Sequence, residues 1–129
     1  MRISRIKETC LYVADIDRAK AFYFGKLGLA VISEVEDKHI FFRAGESVLL
    51  CFIAHKTNEQ SLLPPHGASG CIHFAFEVTT ADYDAALQQV KENNIPILHE
   101  HVWKNNLRSF YFNDPDMNLV EIIEEGLWD

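Results

Sequence analysis

The chain has 129 residues, of which 48% are apolar and 24% are charged, and its formal net charge is −7. This length and composition predict one domain over residues 1–129, built as one core or as two small modules that share a core. The acidic balance argues against partners such as nucleic acid or an anionic membrane, which require clustered Lys and Arg. No run approaches the roughly 18 apolar residues of a membrane span, and three scattered cysteines form no disulfide framework, so we expect a cytoplasmic protein.

The first predicted module covers residues 5–54 and has the order βαβββ. Its first strand spans residues 6–13 and precedes a helix over about 16–27. Asp15 is the predicted N-cap, because its carboxylate can accept from the free N–H groups of the first turn. Gly28 is suited to the left-handed position that ends the helix. Three further strands are predicted near residues 30–36, 38–43 and 47–53.

The second predicted module covers residues 70–125 and repeats that order. A linker loop over residues 55–69 separates it from the first module, and a connection of this length is usually functional or mobile. A strand near residues 71–78 precedes a helix over about 81–93, with Thr80 as its predicted cap. The remaining strands are predicted near residues 96–103, 107–113 and 118–124.

The two modules match each other in sequence. Residues 8–34 match residues 73–100, which places Glu8 on His73. The last strands of the modules also match, and they place Leu50 on Glu121. A duplicated unit can place equivalent strands symmetrically around one cavity. We therefore predict an α+β fold of two tandem βαβββ modules, whose curved mixed sheets surround a cavity.

Three ionisable side chains are expected to face that cavity. Side chains alternate along a strand, so Glu8 and His73 point away from the apolar side chains that cover the helices. Glu121 lies within the apolar run 119–123, where a lone carboxylate is costly to bury unless it is paired or bound to a metal. Two carboxylates and an imidazole can hold a divalent cation. The other interpretation is a buried salt-bridged cluster in a protein that binds no metal.

The end of the chain carries a resemblance to a known family. The segment Phe112-Asn113-Asp114-Pro115-Asp116-Met117-Asn118-Leu119-Val120-Glu121-Ile122 resembles the F-x-D-P-D-G-N-x-x-E-hydrophobic ending of the glyoxalase/bleomycin-resistance/extradiol-dioxygenase superfamily, also called vicinal oxygen chelate proteins. The resemblance covers essentially the whole chain. Met117 replaces the usual glycine, so we expect Asn118 to supply the left-handed residue of the turn.

The resemblance also implies a set of metal ligands. The family takes them from the first and last strands of each module, and the matching positions here are Glu8, Leu50, His73 and Glu121. Leu50 cannot bind a metal, so the implied set is Glu8, His73 and Glu121 around one divalent ion, Zn, Ni, Mn or Fe. The implied partner is a small molecule that chelates the ion through two neighbouring oxygens.

The implied activity is that of a glyoxalase-like lyase or isomerase, in which Glu121 or Glu8 moves a proton as the catalytic carboxylate. One alternative is an extradiol-type ring-cleaving dioxygenase, although Glu8 in place of a histidine would damp the Lewis acidity of its ion. Another alternative is a metal-free drug-binding resistance protein. The family also implies a homodimer, and the modules close either on each other or on those of a second chain.

Four further residues are expected to bind the substrate. In fosfomycin-type members of the family, the tyrosine of a similar Ser-x-Tyr-Phe-x-Asp-Pro-Asp run lies at the substrate, and this likeness points to Ser109 and Tyr111. His39 and Arg43 share one face of the equivalent strand in the first module. Arg43 is expected to pair either with a substrate carboxylate or with a surface acid.

Overall fold

The computed structural model describes every residue, Met1–Asp129, and the chain divides into two compact units. Unit 1 is Met1–Gly70 and unit 2 is Cys71–Asp129. The boundary lies one residue after the predicted linker loop, which belongs to unit 1. None of the three cysteines forms a disulfide.

Unit 1 contains one four-stranded mixed sheet. Its elements are β1 (Glu8–Tyr12), α1 (Ile16–Lys20), β2 (Val31–Val35), β3 (His39–Ala44), β4 (Ser47–Phe52) and α2 (Ala54–Asn58). The strand order is β1-β4-β3-β2; β1 runs parallel to β4, and the other pairs are antiparallel. The βαβββ order predicted for the first module is therefore confirmed.

Unit 2 repeats this architecture. Its elements are β5 (His73–Val78), α3 (Tyr83–Glu92), β6 (His99–Val102), β7 (Arg108–Asn113) and β8 (Leu119–Glu124). The strand order is β5-β8-β7-β6, again with a parallel pair, β5 and β8, at one edge. Both units share the βαβββ order and the corresponding strand order, so the predicted duplication is confirmed.

The first helix begins as predicted and continues in a different form. The Asp15 carboxylate accepts a hydrogen bond from the N–H of Arg18 at 2.7 Å, which caps α1. The sequence predicts one α-helix over residues 16–27, but Ala21–Lys26 is π-helical, with wider turns than an α-helix. Gly28 has a φ of 81°, the left-handed conformation expected at the end of this segment.

Two other helix predictions need correction. The residues before α3 form a turn in which the N–H of Asp82 donates to the carbonyl of Thr79 at 3.0 Å. The helix begins only after this turn, and the prediction of Thr80 as its cap was wrong. The predicted linker loop contains the short helix α2, which the sequence did not predict. No helix of the chain has the length and apolar character needed to cross a membrane.

The tight turn before β8 also departs from expectation. Met117 itself is left-handed, with a φ of 65°, so the expectation that Asn118 would supply this conformation was wrong. The Asp114 carboxylate accepts from the N–H groups of Asp116 at 2.9 Å and Asn118 at 2.8 Å, and this clamp imposes the turn on the residue between them. The Asn118 side chain accepts from the N–H of Ile72 at 3.0 Å, which ties the turn to the chain leading into β5.

Each sheet buries one face beneath its helix. In unit 1 the rings of Tyr23 and Phe42 lie 5.5 Å apart, and in unit 2 the rings of Tyr83 and Phe110 lie 5.5 Å apart. All four rings are buried. The opposite face of each sheet is therefore the one available for chemistry.

The register of β4 is the one that the sequence predicts. Cys51 is fully buried on the helix-covered face, whereas Leu50 is half-buried on the open face. Leu50 pairs with Cys10 across the parallel pair and with Phe41 across the antiparallel pair. A slip of one residue would have reversed these faces.

Candidate functional site

The open face of unit 2 brings together four of its side chains. In the register of the sheet, Glu121 of β8 lies opposite Ala75 of β5 and Tyr111 of β7. Directly paired residues point to the same side of a sheet, and so do residues two apart along a strand. His73, two residues before Ala75, therefore shares this face with Glu121.

His73 and Glu121 form a close donor pair. The Nε2 atom of His73 lies 3.4 Å from Oε2 of Glu121. The Nδ1 atom of His73 lies 3.1 Å from the carbonyl oxygen of Leu119. A carbonyl oxygen can only accept, so Nδ1 carries the hydrogen, and in a neutral imidazole Nε2 presents its lone pair to the carboxylate. Two acceptors so placed require either a proton on Nε2 or a cation between them.

The geometry of this pair fits a metal ion. Two ligand atoms that each lie about 2.1 Å from one ion, at about 90–110° to each other, are roughly 3.0–3.4 Å apart. Metal-binding histidines also commonly donate their other N–H to a backbone carbonyl, which fixes the ring and its tautomer, as Leu119 does for His73. His73 and Glu121 thus have the chemistry and the spacing of two neighbouring ligands.

Glu121 is held from its other side by Tyr111. The Tyr111 hydroxyl donates to Oε1 of Glu121 at 2.7 Å. Burial, reinforced by this hydrogen bond to the carboxylate, raises the pKa of Tyr111, so the phenol stays protonated and remains a donor at neutral pH. The Glu121 side chain is only 8% exposed, and its hydrogen bond and its imidazole neighbour explain how a carboxylate is tolerated in this apolar strand.

Ser109 and Trp103 extend the polar contacts behind Tyr111. The Ser109 hydroxyl is fully buried and donates to the Tyr111 hydroxyl oxygen at 3.4 Å. The indole N–H of Trp103 donates to Ser109 Oγ at 3.2 Å. The sequence singled out Ser109 and Tyr111 but missed Trp103, which follows the edge strand β6 in a segment whose spacing carries no motif.

Glu8, the third predicted ligand, lies in unit 1. It is exposed on β1 and pairs in register with Val48 of β4. Desolvation is the main cause that raises the pKa of the Cys10 thiol, and the negative charge of Glu8 adds to it, so these two side chains are neighbours on the open face. The chain contains no group of three His, Cys, Asp or Glu side chains that could hold a metal ion. The place of Glu8 in a ligand set stays a prediction.

His39 lies among aromatic side chains on the open face of unit 1. Its ring stacks on that of Phe41 with centroids 4.0 Å apart, and the ring of Phe52 approaches edge-on at 5.9 Å. The Nε2 atom of His39 lies 3.0 Å from the hydroxyl of Ser33. Desolvation, with a smaller effect from the charge of Lys38, lowers the pKa of His39, so its ring is neutral at pH 7.

Arg43 lies away from the aromatic residues, toward the end of β3. It is exposed and lines an open groove of about 610 Å³ together with Arg5, Lys7 and Glu46. Arg5 forms an ion pair with Glu46 at this groove. Arg43 is therefore in a predominantly basic setting, and its contact with a substrate stays a prediction.

His66 is a residue of the open face that the sequence did not identify. It belongs to the linker loop, and its Nδ1 lies 3.0 Å from the hydroxyl of Tyr12. The ring of Phe52 meets the His66 ring edge-on at 4.7 Å. The only sequence signal was a histidine after two prolines in an unusually long connection, which does not reveal where the loop folds back.

Comparisons with known proteins agree with this architecture. The profile of the Glyoxalase/Bleomycin resistance protein/Dioxygenase superfamily matches residues 5–122. A crystal structure of lactoylglutathione lyase from Agrobacterium tumefaciens is 35% identical, with a TM-score of 0.93, covering 99% of this chain and 98% of that one. The uncharacterized protein YwkD of Bacillus subtilis is 29% identical over 134 residues, which is 97% of this chain and 100% of that protein.

A more distant likeness concerns the fold alone. The fosfomycin resistance protein FosX from Mesorhizobium loti is 21% identical, with a TM-score of 0.69, covering 98% of this chain and 96% of that one. The profile match spans nearly the whole chain, and both βαβββ units of the fold are present. The chain therefore belongs to the Glyoxalase/Bleomycin resistance protein/Dioxygenase superfamily.

Proposed function

We propose that this protein is a divalent-metal-dependent lyase or isomerase of the glyoxalase type. Its substrate is a small molecule that presents two neighbouring oxygens to the ion. The observation that carries the proposal is the pair formed by His73 Nε2 and Glu121 Oε2, 3.4 Å apart, with the other ring nitrogen of His73 bound to a backbone carbonyl. The 35% identity to a lactoylglutathione lyase over almost the full chain supports this class of reaction.

The proposed ligands are His73, Glu121 and Glu8. Glu8 occupies in the first module the position that His73 occupies in the second, which is the reason to include it. Two carboxylates and one imidazole suit Zn, Ni, Mn or Fe. When bound, such an ion supplies Lewis acidity, which stabilises negative charge on the substrate oxygens. No three such side chains come together in one chain, so in this proposal two chains of a homodimer supply the ligands.

The two carboxylates are suited to different tasks. Glu121 is buried, and the contacts of Tyr111 and His73 hold both of its oxygens, which suits a ligand of fixed orientation. Glu8 is exposed on β1, so its carboxylate has more freedom to move toward a substrate. We therefore assign the proton transfer to Glu8, which takes a proton from one substrate carbon and returns it to the neighbouring position.

The open face of unit 1 supplies the proposed substrate contacts. Phe41 and Phe52 offer apolar surface, and their rings lie 5.2 Å apart. The neutral ring of His39 offers a hydrogen bond rather than a charge. Arg43 offers a cation for a carboxylate group. A partly apolar substrate with an acidic group matches this combination. Three cysteines without a disulfide suit an enzyme of the reducing cytoplasm.

Metal analysis followed by activity assays tests the proposal. Protein purified without chelator is analysed for metal content, titrated with Zn, Ni, Mn and Fe, and then assayed with hemithioacetals. A bound divalent ion and turnover of a hemithioacetal are the expected results. Oxygen uptake with catechols would instead identify a ring-cleaving dioxygenase. Binding of a drug-like ligand, with neither metal affinity nor turnover, would overturn the proposal in favour of a drug-binding protein.

A further inference from the structure

We infer that Trp103, Ser109 and Tyr111 form a hydrogen-bonded chain that fixes the orientation of the Glu121 carboxylate. In this role Tyr111 is a positioning residue, and its hydroxyl is not the substrate contact expected from the sequence. The inference rests on the proposed function, because it takes Glu121 as a ligand of the metal ion. The inference explains how unit 2 directs Oε2 of Glu121, rather than Oε1, toward His73.

The hydrogen bonds from Trp103 to Glu121 can run in only one direction. The indole N–H of Trp103 can only donate, so the Ser109 oxygen accepts at 3.2 Å. The Ser109 proton is then directed to the Tyr111 oxygen at 3.4 Å, the longest link. The Tyr111 proton is directed to Oε1 of Glu121 at 2.7 Å, the shortest link. A group that only donates stands at one end, and a carboxylate that only accepts stands at the other.

Burial keeps this arrangement in place. Ser109 is fully buried and Glu121 is buried, so water competes poorly for their hydrogen bonds. Bonds in such surroundings are stronger than in water, and neighbouring bonds polarise one another. With Oε1 of Glu121 bound to Tyr111, Oε2 is the oxygen that faces Nε2 of His73. These hydrogen bonds thus leave Oε2 as the oxygen of Glu121 that would face a metal ion.

The duplicated unit supplies an internal comparison. In unit 1, Phe41 lies opposite Leu50, in the register positions that Tyr111 and Glu121 occupy in unit 2. The hydroxyl is therefore present where the carboxylate is present, and absent where a leucine replaces the carboxylate. A phenylalanine ring would serve equally well as an apolar wall for a substrate. The added hydroxyl of Tyr111 is accounted for by the carboxylate beneath it.

The test removes the hydroxyl and follows the metal. Wild type, Tyr111→Phe and Ser109→Ala are titrated with Co²⁺, and the visible absorption spectrum of each bound ion is recorded. Tyr83→Phe is the matched control, because it removes the hydroxyl of another tyrosine of unit 2, a buried residue of α3 that packs on Phe110. We expect Tyr111→Phe to weaken Co²⁺ binding by about 10–100-fold, as loss of a residue that orients a ligand usually does. We also expect the visible spectrum of bound Co²⁺ to change in Tyr111→Phe. Affinity and spectrum should change less in Ser109→Ala, and neither should change in Tyr83→Phe.

An unchanged Co²⁺ affinity and spectrum in Tyr111→Phe would overturn the inference. A higher KM for the substrate with that unchanged spectrum would return Tyr111 to the role of a substrate contact. Failure of the wild type to bind metal would refute the proposed function instead. The inference is then decided by crystal structures of metal-free wild type and Tyr111→Phe. It stands if the Glu121 carboxylate rotates away from His73 in the variant, and it fails if the carboxylate stays in place.

Discussion

Leu50 occupies in unit 1 the register position that Glu121 occupies in unit 2. Leu50 lies between Cys10 and Phe41 of the neighbouring strands, and Glu121 lies between the corresponding residues of its own sheet. The two halves of the duplicated fold are therefore chemically unequal at this point. Under the proposed function, the leucine leaves one side of the ion without a protein ligand, where a substrate with two oxygens can bind.

Introducing a carboxylate at this position tests the proposed asymmetry. We expect Leu50→Glu to raise the affinity for Zn²⁺ by at least about tenfold, because it adds a charged ligand to the set. We also expect turnover to fall, since the new side chain takes a position meant for the substrate. Isothermal titration and the hemithioacetal assay measure these effects, with Leu50→Met as the apolar control. Equal Zn²⁺ affinity in Leu50→Glu and wild type would mean that Leu50 does not face the ion.

Replacing Glu121 by Gln separates the metalloenzyme from a binding protein. The amide keeps the shape but removes the charge of a ligand, so we expect metal binding to weaken by at least about tenfold and turnover to fall by a similar factor. A metal-free drug-binding protein would keep its ligand affinity in this variant. Glu77→Gln is the control, because Glu77 lies on the same strand face as His73 but is exposed near the other end of β5. Intact activity and metal affinity in Glu121→Gln would remove this residue from the site.

Glu8→Gln completes that comparison. If Glu8 moves the proton, turnover falls further than metal affinity does, whereas Glu121→Gln lowers both together. The measured quantity is the fold loss of turnover divided by the fold loss of metal affinity in each variant. The variant with the larger ratio identifies the carboxylate that moves the proton. A greater loss of turnover relative to affinity in Glu121→Gln would exchange the two roles.

Alternation and duplication made the sheets predictable. The sequence placed Leu50 and Cys51 on opposite faces of β4, and it placed His73 on the face of Glu121, because side chains alternate strictly along a strand. Matching two copies of one pattern also fixed which strands correspond. Regular, repeated structure is what local sequence determines best.

Two of the parts that were missed depend on contacts with other segments of the chain. His66 reaches Tyr12 through a loop that has no periodic pattern. The left-handed Met117 is imposed by the clamp of Asp114 on the backbone around it, against the preference of an unbranched side chain for other conformations. Trp103 contacts Ser109 only because β6 and β7 pair as neighbours. The contacts of His66 and Trp103 have no signal within their own segments. The Asp114 clamp lies within the quoted turn, but the sequence did not reveal which residue of the turn becomes left-handed.

The ion pair between half-buried Arg108 and buried Glu124 predicts a pH dependence of stability. Nε and Nη2 of Arg108 donate to Oε1 of Glu124 at 3.0 and 2.6 Å. These hydrogen bonds hold the pKa of Glu124 below its ordinary value. The unfolded chain therefore binds a proton at Glu124 more readily than the folded protein does. The stabilisation from the Arg108–Glu124 pair is present above about pH 4.5, and it is lost as the pH falls through the lower pKa of Glu124 in the folded protein.

The matching measurement is urea unfolding at pH 7 and pH 3. We expect Glu124→Gln to lower the free energy of unfolding at pH 7 by about 1–3 kcal/mol relative to wild type. At pH 3 we expect this difference between variant and wild type to be smaller. Glu100→Gln is the control, because Glu100 forms only an exposed pair with Lys91 at 3.5 Å. A Glu124→Gln deficit of the same size at both pH values would contradict the assigned pKa direction.

The left-handed Met117 predicts that glycine is preferred at this position. Its side chain is 59% exposed, so substitution removes little packing. We expect Met117→Gly to raise the free energy of unfolding by about 0.5–1 kcal/mol. The left-handed conformation costs residues other than glycine roughly 1–2 kcal/mol, and glycine avoids this cost. Part of the benefit is offset because glycine loses more backbone entropy on folding. Met117→Val should lower stability. Urea unfolding ranks the three proteins, and a valine variant as stable as the glycine variant would refute the argument.

The last prediction concerns the linker loop and its attachment through His66. The loop is fastened by the contact of His66 Nδ1 with the Tyr12 hydroxyl at 3.0 Å, and by the Phe52 ring at 4.7 Å. Leu62 is exposed in the same loop, and chymotrypsin can cleave after it, whereas Pro64 protects the bond after Leu63. Cleavage of a native protein follows the population of the opened segment when opening is fast.

We therefore expect His66→Ala to speed the first chymotryptic cut by about tenfold, the effect of losing roughly 1.4 kcal/mol from one hydrogen bond and one ring contact. His55→Ala is the control, because His55 is an exposed histidine of α2 nearby in sequence. Mass spectrometry of the early fragments identifies the cut, and unfolding in urea checks that global stability is retained. Equal cleavage rates in the two variants would show that the loop is held by contacts other than those of His66.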